Sequence, residues 1–172
     1  MEKIVGLDFS SEVEVDELGL DASASVGYHP SGDKYLRSVL NTLPITAEDR
    51  ILDIGCGKGS AMRILLQYPF QRVDGVEISP KLTAIANKNF RTLRVPTDRY
   101  QIINMNATQF QDYDTYNYIY LYNPFRCQVV REVMAHIVKS IEGKPRKLLI
   151  IYNNPKCGSE LTDTGIFRKT AE

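Results

Sequence analysis

An excess of charge of either sign is missing from this sequence: across 172 residues, 21 basic side chains are matched by 21 acidic ones. No broad field then draws the chain to nucleic acid or to an anionic membrane surface, and nucleic acid is not an expected partner. Cysteine and histidine are scarce. Cys56, Cys127 and Cys157 stand far apart, with only His29 and His136 to help them. That argues against a disulfide framework or a zinc site, so no metal is expected. No window is apolar for long enough to span a bilayer. The opening run Met1 to Asp8 lacks the apolar centre of a leader peptide. The expected setting is reducing and cytoplasmic, with no membrane partner. Internal repeats and low-complexity tracts are absent too. The length suits one domain, 1–172, with 1–31 as an N-terminal arm or lid.

What the chain does have is glycine at the right place. Gly55, Gly57 and Gly59 follow the apolar run Arg50-Ile51-Leu52-Asp53-Ile54 and precede Ser60. This reads as a buried strand, a glycine turn and the start of a helix. Such a turn lets a ligand approach the backbone closely, and the helix start offers it N–H groups and a positive dipole end. Cys56 lies inside the loop with no histidine near it in sequence. It reads as a small loop residue, not a nucleophile.

The rest of the chain builds around that turn. Residues 1–31 carry little periodicity. Glu12 to Asp16 alternates acidic and apolar, as a short exposed strand would, and Asp16 to Asp21 reads as an acidic loop. We read the arm as packed on the surface, with a lid as the alternative. Ser31 is a candidate N-cap for a helix carrying Leu36, Val39, Leu40 and Leu43, which Pro44 ends. After the glycine turn, a helical face runs to Tyr68. Arg72–Ile78 is a second strand, and Ser79-Pro80 caps a helix with Leu82, Ile85, Ala86 and Phe90 on its apolar stripe. Strands follow at Tyr100–Met105, Tyr116–Tyr122 and Lys147–Tyr152, with an amphipathic helix through Val130, Val133, Met134, Ile137, Val138 and Ile141 between the last two. Alternating strands and helices predict an α/β fold: a doubly wound, mainly parallel sheet with helices on both faces. Ligands of such sheets bind at the carboxyl ends of the strands, where strand order reverses.

The glycine pattern narrows the ligand. A phosphate-binding P-loop needs a glycine where Leu52 stands and a Ser or Thr where Gly59 stands. A dinucleotide turn needs Gly or Ala where Ser60 stands. The pattern present, Asp53-x-Gly55-x-Gly57-x-Gly59, resembles the first motif of class I S-adenosylmethionine-dependent methyltransferases. Glu77 ends the second strand about 20 residues further on, where an acidic side chain accepts ribose hydroxyls. Asn106-Ala107-Thr108 follows the third strand, where this family places a polar residue against the adenine. Asn123-Pro124-Phe125 follows the fourth and resembles the Asn/Asp-Pro-Pro-Tyr/Phe motif of amino-group methyltransferases, one proline short. Tyr28-x-Pro30 and the run Ile51–Phe90 also resemble uncharacterised bacterial methyltransferases.

The resemblance implies the class I fold and S-adenosyl-L-methionine as cofactor. Asp53, Gly55, Cys56, Gly57 and Gly59 would hold its methionine end, Glu77 its ribose, and Ile78, Asn106 and Ala107 its adenine. Asn123 and the Pro124 carbonyl would orient the acceptor, a small molecule or protein side chain, with Phe125 enclosing it. Apart from the resemblance, His29 and His136 are lone histidines, and a general base is the less favoured reading of His29. The rival readings are a cofactor-binding module that assists a partner without catalysis, and a nucleotide-cofactor oxidoreductase. Tyr152-Asn153-Asn154-Pro155 is read as an ordinary strand end. The family usually closes its sheet with two further strands, and residues 155–172 leave room for at most one, at Thr164–Phe167. We therefore expect a truncated sheet, whose open edge favours a homodimer.

Overall fold

The computed structural model describes residues 6–21, 23, 27–32 and 34–170; most of the opening run Met1 to Asp8 lies outside them. Five strands form one sheet: β1 (Arg50–Ile54), β2 (Arg72–Glu77), β3 (Tyr100–Asn104), β4 (Tyr118–Tyr122) and β5 (Leu149–Asn153). Their order is β3-β2-β1-β4-β5 and every pairing is parallel. The chain walks outward from β1 to β3, returns to the far side of β1, and walks outward again. Strand order therefore reverses between β1 and β4, and the crevice expected of a doubly wound sheet opens there.

Pleating sends alternate side chains to opposite faces. From β1 and β4, Ile51, Tyr118 and Tyr120 enter one core, while Leu52, Ile54, Ile119 and Leu121 enter the other. The first core is covered by α1 (Lys34–Leu40), α2 (Ser60–Leu65) and α3 (Pro80–Thr92), through Leu36 and Leu40, Met62 and Leu65, and Phe90. The second is covered by α4 (Cys127–Gly143), whose Val130, Val133, Met134 and Ile137 are all buried. Each such side chain contributes roughly 1.5–3 kcal/mol by leaving water.

Several boundaries differ from the sequence reading for local reasons. α1 is described from Lys34, and Ser31 offers its carbonyl to the Tyr120 hydroxyl. Val39, placed on the apolar stripe, is 41% exposed. α2 stops at Leu65 because the next N–H groups bond one residue closer, Gln67 to Ile64 and Tyr68 to Leu65. The β3-to-β4 crossover carries two 3-10 turns, Ala107–Gln109 and Asp112–Thr115, in place of a helix. Arg146 pins this crossover, donating to the carbonyls of Tyr113 and Tyr116 at 2.7 Å and of Ser140 at 3.0 Å. α3 starts as read: Ser79 Oγ accepts the Leu82 N–H with Pro80 in the first turn. After β5 comes the short α5 (Ser159–Thr162), and among the described residues no strand forms at Thr164–Phe167. Among the described residues, β3 and β5 are the outer strands of the sheet.

One expectation is corrected here. Cys127 and Cys157 are joined by a disulfide, their Cα atoms 5.3 Å apart. The sequence spacing hid the pair because topology makes it: β4 and β5 are parallel neighbours, so residues just past their ends meet at one edge. Cys56 alone is a free thiol among the described residues. No group of acidic, His or Cys side chains there is arranged to hold a metal ion, and no helix is long and apolar enough to cross a membrane.

Candidate active site

A crevice of about 610 Å³ opens over the carboxyl ends of the strands. Its floor is the glycine loop: Gly55, Cys56 and Gly57 line it, with positive φ at Gly55 (77°) and Gly57 (55°). Both positions need glycine. A Cβ on Gly55 would collide with the Pro124 ring, and one on Gly57 with the Tyr28 ring. The loop is hung from β2, since the N–H groups of Gly55 and Cys56 donate to the Val76 carbonyl.

Glu77, Ile78, Asn106 and Ala107 form the next wall. Glu77 is buried, and each of its oxygens accepts a backbone N–H: Gly57 at 2.9 Å and Ser79 at 2.8 Å. Burial holds its carboxyl above the usual range, against those N–H bonds, which pull it down. The Glu77 carboxyl also faces the crevice, where a ligand hydroxyl can donate to it. Asn104, which sequence reading passed over, donates from Nδ2 to the carbonyls of Glu77 and Ile78 and fixes this corner. Asn106 accepts the Thr108 N–H and hydroxyl through Oδ1 at 3.0 Å.

Asn123, Pro124 and Phe125 form the facing wall. Asn123 is held at φ 42°, in the left-handed region that costs a side chain energy. Its Oδ1 is buried with no hydrogen-bond partner. Asn154, read as an ordinary strand end, also reaches this wall and is also left-handed, at φ 52°.

Two residues of the expected set do not reach the crevice. Asp53 is buried beneath the loop with Oδ2 unpartnered; burial and the neighbouring Glu77 charge push its carboxyl up to about 8. Gly59 precedes α2 at φ 83° and lies under Phe90, whose ring would be 2.7 Å from a Cβ there. Burial, Asp53 and Glu77 raise the Cys56 thiol well above its usual value, which leaves it a poor nucleophile.

The N-terminal arm supplies the last wall. In place of the expected exposed strand, Val13 makes a single antiparallel bridge to Tyr28, followed by a 3-10 turn at Asp16–Leu18. Leu18, Tyr28 and His29 line the crevice. His29 is exposed and its Nδ1 lies 3.2 Å from Glu12 Oε1. The arm is held by Lys58, 1% exposed, whose Nζ donates to Asp8 Oδ2 and the Ser11 carbonyl at 2.8 Å. The same ammonium stands 5.3 Å from the Tyr28 ring centroid, and the Tyr28 hydroxyl donates to the Phe9 carbonyl. A lysine flanked by glycines carried no signal of this role once the P-loop pattern failed.

A parallel sheet of this order, with a glycine loop after β1 and an acidic residue ending β2, is common to class I methyltransferases and dinucleotide-binding domains. The sequence profile of a methyltransferase domain family matches residues 51–142, more than half of the chain, and the chain belongs to that family. No curated protein sequence matches it. Among solved structures, a methyltransferase from Geobacter sulfurreducens in complex with S-adenosyl-L-homocysteine is 20% identical, with a TM-score of 0.56, over 70% of this chain and 48% of that one. Phosphoethanolamine N-methyltransferase 2 of Haemonchus contortus, in complex with phosphomonomethylethanolamine and S-adenosylhomocysteine, is 17% identical, with a TM-score of 0.59, over 79% and 37%. An RNA methyltransferase from Salinibacter ruber is 20% identical, with a TM-score of 0.55, over 64% and 70%. The chain thus spans about half the length of the Geobacter protein. At these identities the likeness is one of fold.

Proposed function

We propose that the chain transfers a methyl group from S-adenosylmethionine to an amino group of a small molecule or protein, in the cytoplasm. Family membership supports the reaction, and the chemistry of the crevice suits the donor. Gly55, Cys56 and Gly57 offer a floor that no side chain fills. The Glu77 carboxyl suits ribose hydroxyls, and Ile78, Asn106 and Ala107 suit an adenine. When bound, the donor supplies a methyl group already activated on a sulfonium sulfur. The chain's own work is then to place an acceptor and keep water out. Gly59 shapes the turn, and Asp53 sits behind the loop with its Oδ2 unpartnered.

The observation that carries the amine reading is Asn123. Its strained backbone and buried, unpartnered Oδ1 stand on the wall beside Pro124, which touches the glycine loop. A buried acceptor without a donor costs roughly 1–3 kcal/mol, and a turn of the Asn123 side chain toward an amine N–H in the crevice removes that cost. Labelled methyl donor incubated with a cell extract tests this. Wild type should label an acceptor, and Asn123→Ala should label it on the order of tenfold to a hundredfold more slowly at unchanged cofactor affinity. Equal labelling would remove Asn123 from the site, and no labelling by either protein would favour a cofactor-binding module. We further propose that β5, an outer strand among the described residues, pairs edge to edge into a homodimer.

A further inference from the structure

The two loops that form the acceptor side of the crevice are joined by a covalent bond. β4 and β5 end in register, Tyr122 beside Asn153. Each is followed at once by a left-handed asparagine, Asn123 and Asn154. One loop then runs through Pro124 and Phe125 to Cys127, the first residue of α4; the other runs through Lys156 to Cys157. Asn123, Pro124, Phe125, Asn154 and Lys156 all line the crevice. Cys157 is buried in the same core as Val130 and Met134. The Cys127–Cys157 bond therefore ties both loops to that core, on the acceptor side alone. The cofactor side is built on β1, β2 and β3, which the bond does not touch.

We propose that Cys127 and Cys157 form a reversible thiol–disulfide switch that positions the acceptor wall, an inference that rests on the methyl-transfer reading above. The two cysteine residues differ in a way that suits exchange. Cys127 is exposed and Cys157 buried, so a reductant reaches Cys127. Once reduced, Cys127 sits at the N-terminus of a 17-residue helix, where the dipole favours its thiolate. Reduction by a dithiol breaks the S–S bond. The pair takes up two electrons and two protons, and the dithiol closes to its own disulfide. In re-oxidation the Cys127 thiolate attacks glutathione disulfide and releases one glutathione. Cys157 then displaces the second, which restores the bond. In a reducing cytoplasm such a pair is a sensor, not a permanent staple.

Trypsin reads the state directly, because Arg126 and Lys156 each stand immediately before one of the cysteines. Unreduced protein should be cut slowly at both. Dithiothreitol, or Cys127→Ser with Cys157→Ser, should speed both cuts about tenfold as the loops open locally, with cleavage after Arg63 unchanged. The double variant should not respond to dithiothreitol. S-adenosylhomocysteine should bind all forms within about twofold, since that half of the site stays in place, while the unreduced double variant should label extract acceptors more slowly than wild type. Three reactive thiols in unreduced, denatured protein would overturn the switch, and so would equal cutting in both states. Faster cutting with unchanged labelling would overturn its positioning role. Loss of S-adenosylhomocysteine binding in every form, with the cutting difference intact, would instead strike the methyl-transfer reading and leave the loop switch standing.

Discussion

Asp53 keeps its proton at pH values where an exposed aspartate has lost it. Burial and the Glu77 charge raise its carboxyl from 3.8 to about 8. Between those values the folded chain binds a proton that the unfolded chain has released, so this group makes stability fall as pH rises from about 4 to about 8. The raised Glu77 carboxyl acts in the same direction. Urea unfolding at pH 5 and pH 8 checks this. Wild type should be the less stable at pH 8, and Asp53→Asn should shrink the difference; an unchanged difference would show that Asp53 does not carry the proton. Asp53 was named from its place in the glycine motif, yet its burial beneath the loop was not legible, because a motif fixes position in the chain and not depth. Lys58 was invisible for the opposite reason. Its partners, Asp8 and Ser11, lie about 50 residues away on an arm with no periodicity.

Among the elements, those with strong local chemistry were readable to the residue. β1 is the apolar run before the glycines. The start of α3 is a serine followed by proline, and there the Ser79 hydroxyl takes the Leu82 N–H at 3.3 Å. Ser79→Ala should cost about 1 kcal/mol and lower the melting temperature by roughly 2–4 °C; calorimetry showing no shift would mean that the tertiary contacts of α3 hold its first turn unaided. Elements defined by what they meet were less readable. α2 ends in tight turns that its apolar face does not announce, and Val39 lies on the stripe of α1 but meets water. The Cys127–Cys157 pair depends on two strands lying side by side, which no spacing of 30 residues encodes.

The whole molecule follows from one topological fact, the reversal of strand order between β1 and β4. It sets the glycine loop opposite Asn123 and leaves β5 as an edge that no described strand covers. The alternation of strands and helices made a doubly wound parallel sheet legible, while the arm was read first as a surface segment and only alternatively as a lid, since Tyr28 meets Gly57 only in three dimensions. If the β5 edge pairs two copies, sedimentation at rising concentration should show a dimer building up; a monomer at every concentration would leave the edge unpaired. The central claim, that the crevice holds a methyl donor, is tested most directly by isothermal titration with S-adenosylhomocysteine. Wild type should bind it one to one, NAD should not bind, and Glu77→Ala should weaken it about tenfold or more through loss of the ribose contact. Folded wild-type protein that takes up no S-adenosylhomocysteine would contradict the account.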